Sequence, residues 1–473
     1  MRKPTKQILL VSCYELGHQP SGLSMPLAFL QRAGYRADCL DLSVQQLDHE
    51  KVARADFIGI SVPMHTALRL GIEAARMARS INPHCHICFY GLYAALNAEH
   101  LLKAAADSVI AGEFEQELLR LIDSLNNGGV HKADPVTLER LRFPTPERSP
   151  LPPPSQYAKL EYNGSQKLVA YTEASRGCLH LCTHCPIPPV YEGRFFVVPR
   201  DVVMEDIRGQ VATGAEHLTF GDPDFLNGPG HSIQILRDLH REFPKLTFDF
   251  TAKIEHLIKY RSTLSEFARL GCIFIVSAVE SLSDVVLSNL QKGHTRSDVM
   301  KAFDLAGELG ITLRPSLVPF TPWATIADFI DLLEFVDARE LIYHVDPVQF
   351  SIRLLIPPGS LILRYSSGAD WLGPLAEDSF TYLWTHPDSR MDELQDQISH
   401  LVEQAGEADP AETFTRICDL TGRIAGKTPM RLNREPGPAI RPPRLTESWF
   451  CCAEPTRQQV QQSKLVNLTV SRG

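Results

Sequence analysis

No stretch of this 473-residue chain approaches the roughly 18 consecutive apolar residues that a membrane span needs. The start, MRKPTKQILLVSCYELGHQP, has a basic end, but its apolar run from Ile8 to Cys13 is only six residues long. That is too short for a signal peptide or a span, so the expectation is a soluble, cytoplasmic protein with no membrane partner. Positive charge is scarce as well. Against 56 Asp and Glu there are 47 Lys and Arg, a net charge of -9, which argues against nucleic acid as the main partner. Internal repeats and low-complexity tracts are absent. The 11 cysteines are odd in number and locally clustered, in a chain too long to need disulfide staples, so metal or thiol chemistry is the better expectation.

What is present is ample core material. With 44% hydrophobic and 8% aromatic residues the chain can bury a sizeable core, and its length suggests about two to four domains. The charge is unevenly spread: residues 421–473 carry nine Lys or Arg against three Glu, so this tail is +6 and the remainder -15. A basic tail of this kind is suited to folding back over an acidic body.

Residues 7–127 alternate short apolar runs (QILLVSC, ADFIGISV, CHICFYG, AADSVIAG) with helix-length amphipathic stretches, the pattern of a parallel sheet of about five strands wrapped by helices. HKADPVTLERLRFPTPERSPLPPPSQYAKL is proline-rich and aperiodic and reads as a linker. From Leu168 the alternation resumes through LVAYTEAS, HLTFGD, LTFDFTAK, CIFIVSAVES, ITLRPSLVPF and VQFSIRLL, six strand-and-helix units without closure signals. That suggests a partial barrel with active residues at the strand C-terminal ends. Beyond about residue 366 the pattern is helical, and beyond Lys427 it is proline-rich and irregular. The expected division is 1–130, a linker 131–165, a barrel 166–365 and a helical region with a flexible tail 366–473.

The strongest motif is ASRGCLHLCTHCP, with Cys178, Cys182 and Cys185 directly after the first barrel strand. Three thiolates this close can hold three irons of a [4Fe-4S] cube and leave one iron open. A structural zinc ion is the rival, and it would need His180 or His184 as a fourth ligand.

This spacing after a first strand resembles the radical S-adenosylmethionine (SAM) superfamily, in which the open iron binds the methionyl group of SAM. The resemblance continues over roughly residues 168–360. GAEHLTFGDPDFLN stands where such enzymes hold the SAM amino group, with Gly221 and Asp222 in the turn; FIVSAVES ends on Glu280 at the ribose-binding position; LQKGHT and GITLRPSLVPF follow in order. The resemblance implies Arg314 as a partner for the SAM carboxylate, and Arg176 as a charge that steadies the cluster. Read bottom-up, Glu280 would serve equally as a helix-start carboxylate, Arg314 as a surface ion pair, and Asp222 and Asp224 as turn residues.

The first 130 residues resemble the cobalamin-binding-type domain that precedes many radical SAM barrels, and AGEFEQ places Gly112, Glu113 and Glu115 in the register of the family's Gly-Glu-x-Glu turn. The cobalt-ligating Asp-x-His-x-x-Gly pattern is missing, and His18 does not replace it. Cobalamin would therefore lack a lower histidine ligand or be absent. HCHIC, His84 to Cys88, is read as a packed strand rather than a metal site, and Cys13, Cys39, Cys272 and Cys418 as core residues. Together these resemblances imply an α/β fold: a flavodoxin-like (Rossmann-type) parallel sheet, a partial (β/α)6 TIM-type barrel, and a helical, irregular C-terminal region.

SWFCCAEP near the end carries Cys451 and Cys452 side by side. Adjacent α-carbons lie about 3.8 Å apart, too close for an unstrained disulfide, so the pair reads as a dithiol suited to a thiophilic ion or as a buried pair. The motif resembles the radical SAM group known by its CUAEP or CCAEP tail, which includes an enzyme of arsinothricin biosynthesis. That resemblance implies a [4Fe-4S] enzyme that transfers the 3-amino-3-carboxypropyl group of SAM to trivalent arsenic held by Cys451 and Cys452, with arsenite as the small-molecule substrate. A flavodoxin or ferredoxin would donate the electron. The alternatives are cobalamin-dependent or 5′-deoxyadenosyl-radical alkylation of an organic substrate, and a metal-sensing iron-sulfur or zinc protein.

Overall fold

The computed structural model describes residues 6–129, 135–366, 368–406, 408–427 and 441–447. Its first sheet contains β1 (Ile8–Ser12), β2 (Ala37–Asp41), β3 (Phe57–Ser61), β4 (His86–Tyr90), β5 (Ser108–Gly112) and β6 (Val136–Thr137). All pairs are parallel, in the order β2-β1-β3-β4-β5-β6. β1, β3 and β5 are buried along their whole length because helices such as Ser21–Arg32, His65–Ile81 and Glu115–Asn126 cover both faces. Cys13, Cys39, Cys85 and Cys88 all lie in these cores, while His84 precedes β4 and His86 bonds Ser108 Oγ at 2.9 Å. The segment expected as a linker adds the sixth strand. Gly112 allows this: it has φ +76°, and a Cβ there would fall 2.1 Å from the Thr137 carbonyl oxygen.

The second half holds β7 (Lys159–Tyr162), β8 (Ser165–Thr172), β9 (Ser175–Gly177), β10 (Phe195–Val197), β11 (His217–Phe220), β12 (Thr247–Ala252), β13 (Cys272–Glu280) and β14 (Thr312–Leu317). It continues with β15 (Leu372–Ala376), β16 (Thr381–Trp384) and β17 (Arg444–Leu445). β8, β11, β12, β13 and β14 form a parallel, curled half-barrel, extended at one edge by β7 and β17 in the order β14-β13-β12-β11-β8-β7-β17. Helices cover its outside, and two of them start where the sequence writes Thr-x-x-Asp: Thr295 with Asp298, and Thr325 with Asp328, form capping boxes. Phe220, Phe225, Phe248, Phe250 and Phe267 pack as one aromatic cluster between sheet and helices. Cys272 and Cys418 are buried in the same core.

The sixth barrel strand expected at VQFSIRLL is a short 3-10 segment, Pro347–Ser351, followed by a single parallel bridge between Phe320 and Arg353. The backbone beyond it is claimed elsewhere. Trp384 Nε1 donates to the Leu354 carbonyl at 2.8 Å, and Tyr382 N–H donates to that of Ile356 at 2.8 Å. The hairpin β15–β16 also interrupts what was expected to be continuous helix after residue 366; the helices Ser389–Ala405 and Pro410–Ile424 follow it.

Tight contacts join the two halves. Arg148, from the proline-rich segment, pairs with Asp206 at 2.6 Å and bonds the Tyr171 carbonyl and Gln19. Arg176, expected to steady the cluster by its charge, is engaged by three carboxylates. Its guanidinium lies 2.5 Å from Glu115, 3.9 Å from Glu113 and 3.0 Å from Glu173, over the ring of Phe143. The Gly-Glu-x-Glu turn after β5 is thereby clamped to the start of the cysteine loop. The described part of the basic tail folds back as its charge suggests, with Arg441 on Asp409 and Arg444 on Glu161. β17 is antiparallel to β7, so it runs in the direction of β8, and its exit at Glu447 accepts a hydrogen bond from Tyr14 Oη at 3.0 Å.

Candidate active site

The cysteine loop is held at both ends. Before it, Asp222 accepts hydrogen bonds from Ala174 N–H at 2.9 Å and Ser175 Oγ at 2.5 Å, and burial pushes the Asp222 carboxyl up to about 7. Gly221 fits only as glycine, because a Cβ would land 1.9 Å from the Tyr171 hydroxyl; the Tyr171 ring stacks on His18 with centroids 4.5 Å apart. Gly221 and Asp222 thus shape the approach to the cysteines, and both Asp222 oxygens are already engaged there. Inside the loop, Thr183 donates from N–H to the Leu290 carbonyl at 3.0 Å and from Oγ1 to the Asn289 carbonyl at 2.9 Å. Cys178 and Cys182 are buried, Cys185 is half-buried, and none is in a disulfide.

The thiols do not gather on one ion. Among the described residues, the one set of His, Cys, Asp and Glu ligand atoms within 4.8 Å of one another is His180, Asp224 and His256, and it contains no cysteine. The histidines that a zinc site would need are turned elsewhere, His184 Nε2 to Glu280 Oε1 at 3.4 Å and His180 Nε2 toward Asp224 Oδ2 at 3.8 Å. Three thiols of one short loop, spread wider than a single ion, fit an iron-sulfur cube.

Glu280 closes β13 where the register shifts, and it takes φ +62°, a left-handed conformation that a non-glycine residue seldom adopts. Its carboxylate is buried. Burial alone would raise it, but Lys292 Nζ at 3.0 Å and His184 outweigh burial and hold it down at about 2. Burial likewise works against the Lys292 cation, while Glu280 and the Cys182 and Cys185 thiols favour it more strongly and keep its pKa raised. Glu280 Oε2 and His184 Nδ1 are buried with no hydrogen-bond partner, so the pair presents one acceptor and one ring nitrogen to whatever lies above it. Lys292 stands in LQKGHT, a stretch the sequence marks. Lys253, the residue after β12, is also buried and went unmarked; its Nζ lies 3.7 Å from Glu255 Oε2.

Arg314 departs from the expectation on both counts. It is buried rather than a surface residue, and it is paired rather than open to a carboxylate: Nη2 lies 3.0 Å from Asp346, and Nη1 donates to the Tyr343 carbonyl at 3.3 Å. It sits opposite Val276 in the register, while Glu280 is level with Leu317, so Arg314 lies deeper in the half-barrel than the rim.

Across from the cysteine loop stands the carboxyl edge of the first sheet. Tyr93, which follows β4, lines an apolar cleft with His184, Pro186, Val318, Leu354 and Leu355. Along this edge Ser12 Oγ, His65 Nδ1, Thr66 Oγ1 and Glu113 Oε2 are buried without hydrogen-bond partners. Glu15 accepts the N–H groups of Ser21 and Gly22 at 2.8 and 3.2 Å and the Ser21 hydroxyl; burial and the nearby Glu173 push it up to about 7. A row of unpartnered polar atoms at the carboxyl edge of a parallel sheet, beside the β1–β3 switch in strand order, fits a ligand rich in polar groups. Cys451 and Cys452 lie outside the described residues. No helix among the described residues is long and apolar enough to cross a membrane.

Comparison with known proteins agrees with this geometry. Residues 8–122 match the B12 binding domain and residues 172–336 the Radical SAM superfamily. The hopanoid C-3 methylase of Methylococcus capsulatus is 24% identical over 320 residues, 64% of this chain and 62% of that protein. The ribosomal protein uS12 methylthiotransferase RimO of Geotalea uraniireducens is 28% identical over 180 residues, 36% of this chain and 39% of that protein, so the chain spans less than two thirds of either relative. Among solved structures, the radical SAM methyltransferase TsrM from Kitasatospora setae, with cobalamin and a [4Fe-4S] cluster bound, aligns with a TM-score of 0.62 at 15% identity over 89% of both chains. The cobalamin-dependent radical SAM enzyme OxsB aligns with a TM-score of 0.62 at 15% identity over 85% of this chain and 67% of its own. At such identity these two establish the fold alone. Of the two expectations for cobalamin, the match at residues 8–122 favours binding without a lower histidine ligand over absence, since the domain type is present without the histidine pattern. The chain therefore joins a B12 binding domain to a Radical SAM superfamily domain.

Proposed function

We propose that this chain is a cobalamin-dependent radical SAM methyltransferase acting on a small organic molecule. The observation that carries this reading is the cleft in which Tyr93, at the carboxyl edge of the first sheet, meets His184 and Pro186 of the cysteine loop. When bound, a reduced [4Fe-4S] cluster supplies the electron that cleaves SAM, and cobalamin supplies a methyl carrier. Cys178, Cys182 and Cys185 would hold the cluster. The free Oε2 of Glu280 accepts from a sugar hydroxyl, and Lys253 offers positive charge to a carboxylate, since Lys292 is paired with Glu280 as Arg314 is with Asp346. Gly221 and Asp222 act at one remove by fixing the loop. Val318, Leu354 and Leu355 complete the cleft's apolar walls and keep water from the place where the two halves meet. A flavodoxin or ferredoxin is the fitting electron donor for a protein of this class.

One observation favours a second reading. β17 runs in the direction of the barrel strands and leaves at Glu447, beside Tyr14 in the loop after β1. Cys451 follows four residues later, at most about 14 Å of extended chain. Transfer of the 3-amino-3-carboxypropyl group to arsenic held by Cys451 and Cys452 would use the same cysteine loop with a different bond of SAM. Anaerobic incubation of the cobalamin-loaded, reconstituted protein with SAM, reductant and arsenite separates the two. S-adenosylhomocysteine with retained cobalamin supports methyl transfer. 5′-Methylthioadenosine with an arsenic-bearing amino acid replaces it with the second reading, and failure to retain cobalamin removes the first.

A further inference from the structure

Three polar side chains meet beside the cysteine loop, and the proposed reaction uses none of them. His180 comes from the loop between Cys178 and Cys182, Asp224 from the turn after β11, and His256 from the helix Ile254–Lys259 that follows β12. Their ligand atoms lie within 4.8 Å of one another. His256 Nδ1 is 2.8 Å from Asp224 Oδ2, and His180 Nε2 is 3.8 Å from the same oxygen. All three atoms are buried, and none has a hydrogen-bond partner. An aligned N–H at 2.8 Å would make a good hydrogen bond, so the His256 nitrogen and the carboxylate oxygen approach each other off that line. Close approach without alignment is what lone pairs aimed at a common third point produce.

The surroundings suit a cation held at that point. Asp224 is fully buried and fixed through its other oxygen, which accepts Leu226 N–H at 3.0 Å. His256 is 5% exposed, while the His180 side chain is 17% exposed, which leaves an entry and room for a water ligand. Lys253 is the opposing charge, and Glu255 lies 3.7 Å from it. The same Glu255 oxygen lies 3.9 Å from His180 Nδ1, where a carboxylate behind a ligating histidine orients the ring. Two histidines and one carboxylate with an open position make a donor set for zinc or a similar divalent transition-metal ion.

We propose that His180, Asp224 and His256 bind one divalent metal ion, distinct from the irons held by the cysteines, which ties the cysteine loop to the half-barrel rim. The ion joins three segments far apart in sequence, one of them the loop that must keep three thiols in place. This holds whether or not cobalamin binds.

The test uses the full-length, cluster-reconstituted protein, equilibrated with a small excess of Zn(II) and desalted, with zinc, iron and sulfide measured per chain. The expected result is about one zinc beyond the roughly four irons of the cluster. His256→Ala and Asp224→Asn should each lose at least nine-tenths of that zinc with iron unchanged. Asp224→Asn keeps an oxygen for Leu226 N–H; should it still unsettle the loop, His256→Ala, on a separate helix, decides alone. Absence of zinc from the unaltered protein, undiminished zinc in His256→Ala, or zinc gained only as iron is lost would each overturn the proposal.

Discussion

The interior of the half-barrel and its rim bury polar groups in opposite ways. Inside, the strand-borne groups are joined in pairs: His217 bonds Thr247 Oγ1 and Asp249 at 2.8 Å each, Thr219 bonds Asp249 at 2.7 Å, and Arg314 bonds Asp346 at 3.0 Å. At the rim, Glu280 Oε2, His184 Nδ1, His180 Nε2, Asp224 Oδ2 and His256 Nδ1 are buried without a hydrogen bond. A buried polar atom without a partner costs about 1–3 kcal/mol, so a fold that keeps five on one rim is built for something else to satisfy them. On the proposed function, interior pairs act on stability and rim groups act on ligands.

Breaking the rim should have the largest effect. Cys182→Ala should reduce iron in the reconstituted protein from about four per chain to less than about one and abolish SAM cleavage, as iron analysis and the visible spectrum would show. The interior should respond in stability alone. Arg314→Met leaves Asp346 buried with only Arg444 near it, at 3.9 Å, and should cost about 3 kcal/mol in denaturant unfolding while SAM affinity stays within about twofold. Glu280→Gln should show a ligand effect that Arg314→Met lacks, weakening SAM binding about 10–100-fold in equilibrium titration with iron content nearly unchanged, besides the stability lost by leaving Lys292 buried without its counter-charge. A large SAM defect in Arg314→Met would erase the distinction.

The smallest effect sharpens the same contrast at the domain junction. The Glu15 carboxyl ordinarily titrates near 4.5 and is raised to about 7 by burial and then by Glu173. Between these values the folded protein keeps a proton that the unfolded chain has released, so stability falls as pH rises through this window and levels off above about 7. Glu15→Gln removes that dependence. Relative to the unaltered protein it should gain about 1–2 kcal/mol between pH 4.5 and pH 7, measured by urea unfolding at each pH.

Much of this site can be read along the chain. The spacing of Cys178, Cys182 and Cys185 confines three thiols to one loop whatever surrounds them, and the alternation of strand and helix patterns fixes two parallel sheets with active ends at their carboxyl edges. Glu280 stands out through its place at the end of a strand-length run. Lys253 and His256 carry no such signal, since each is a single polar residue beside an apolar run, where a surface position is the ordinary outcome. Arg314 is a related case. Its sequence neighbours say that it lies on a strand, whereas its partner Asp346 is 32 residues away.

Local spacing determined the cysteine loop, the strand and helix order and the basic tail, because those depend on residues within a few turns of one another. Only the tertiary structure decided which buried charges are paired. It aimed Arg176 at Glu113 and Glu115 rather than the cluster, and it turned His180 away from the thiols toward Asp224 and His256. Pairing is a matter of distances of a few ångströms between segments distant in sequence, and the charge of a side chain does not reveal which opposite charge the folded chain will bring beside it.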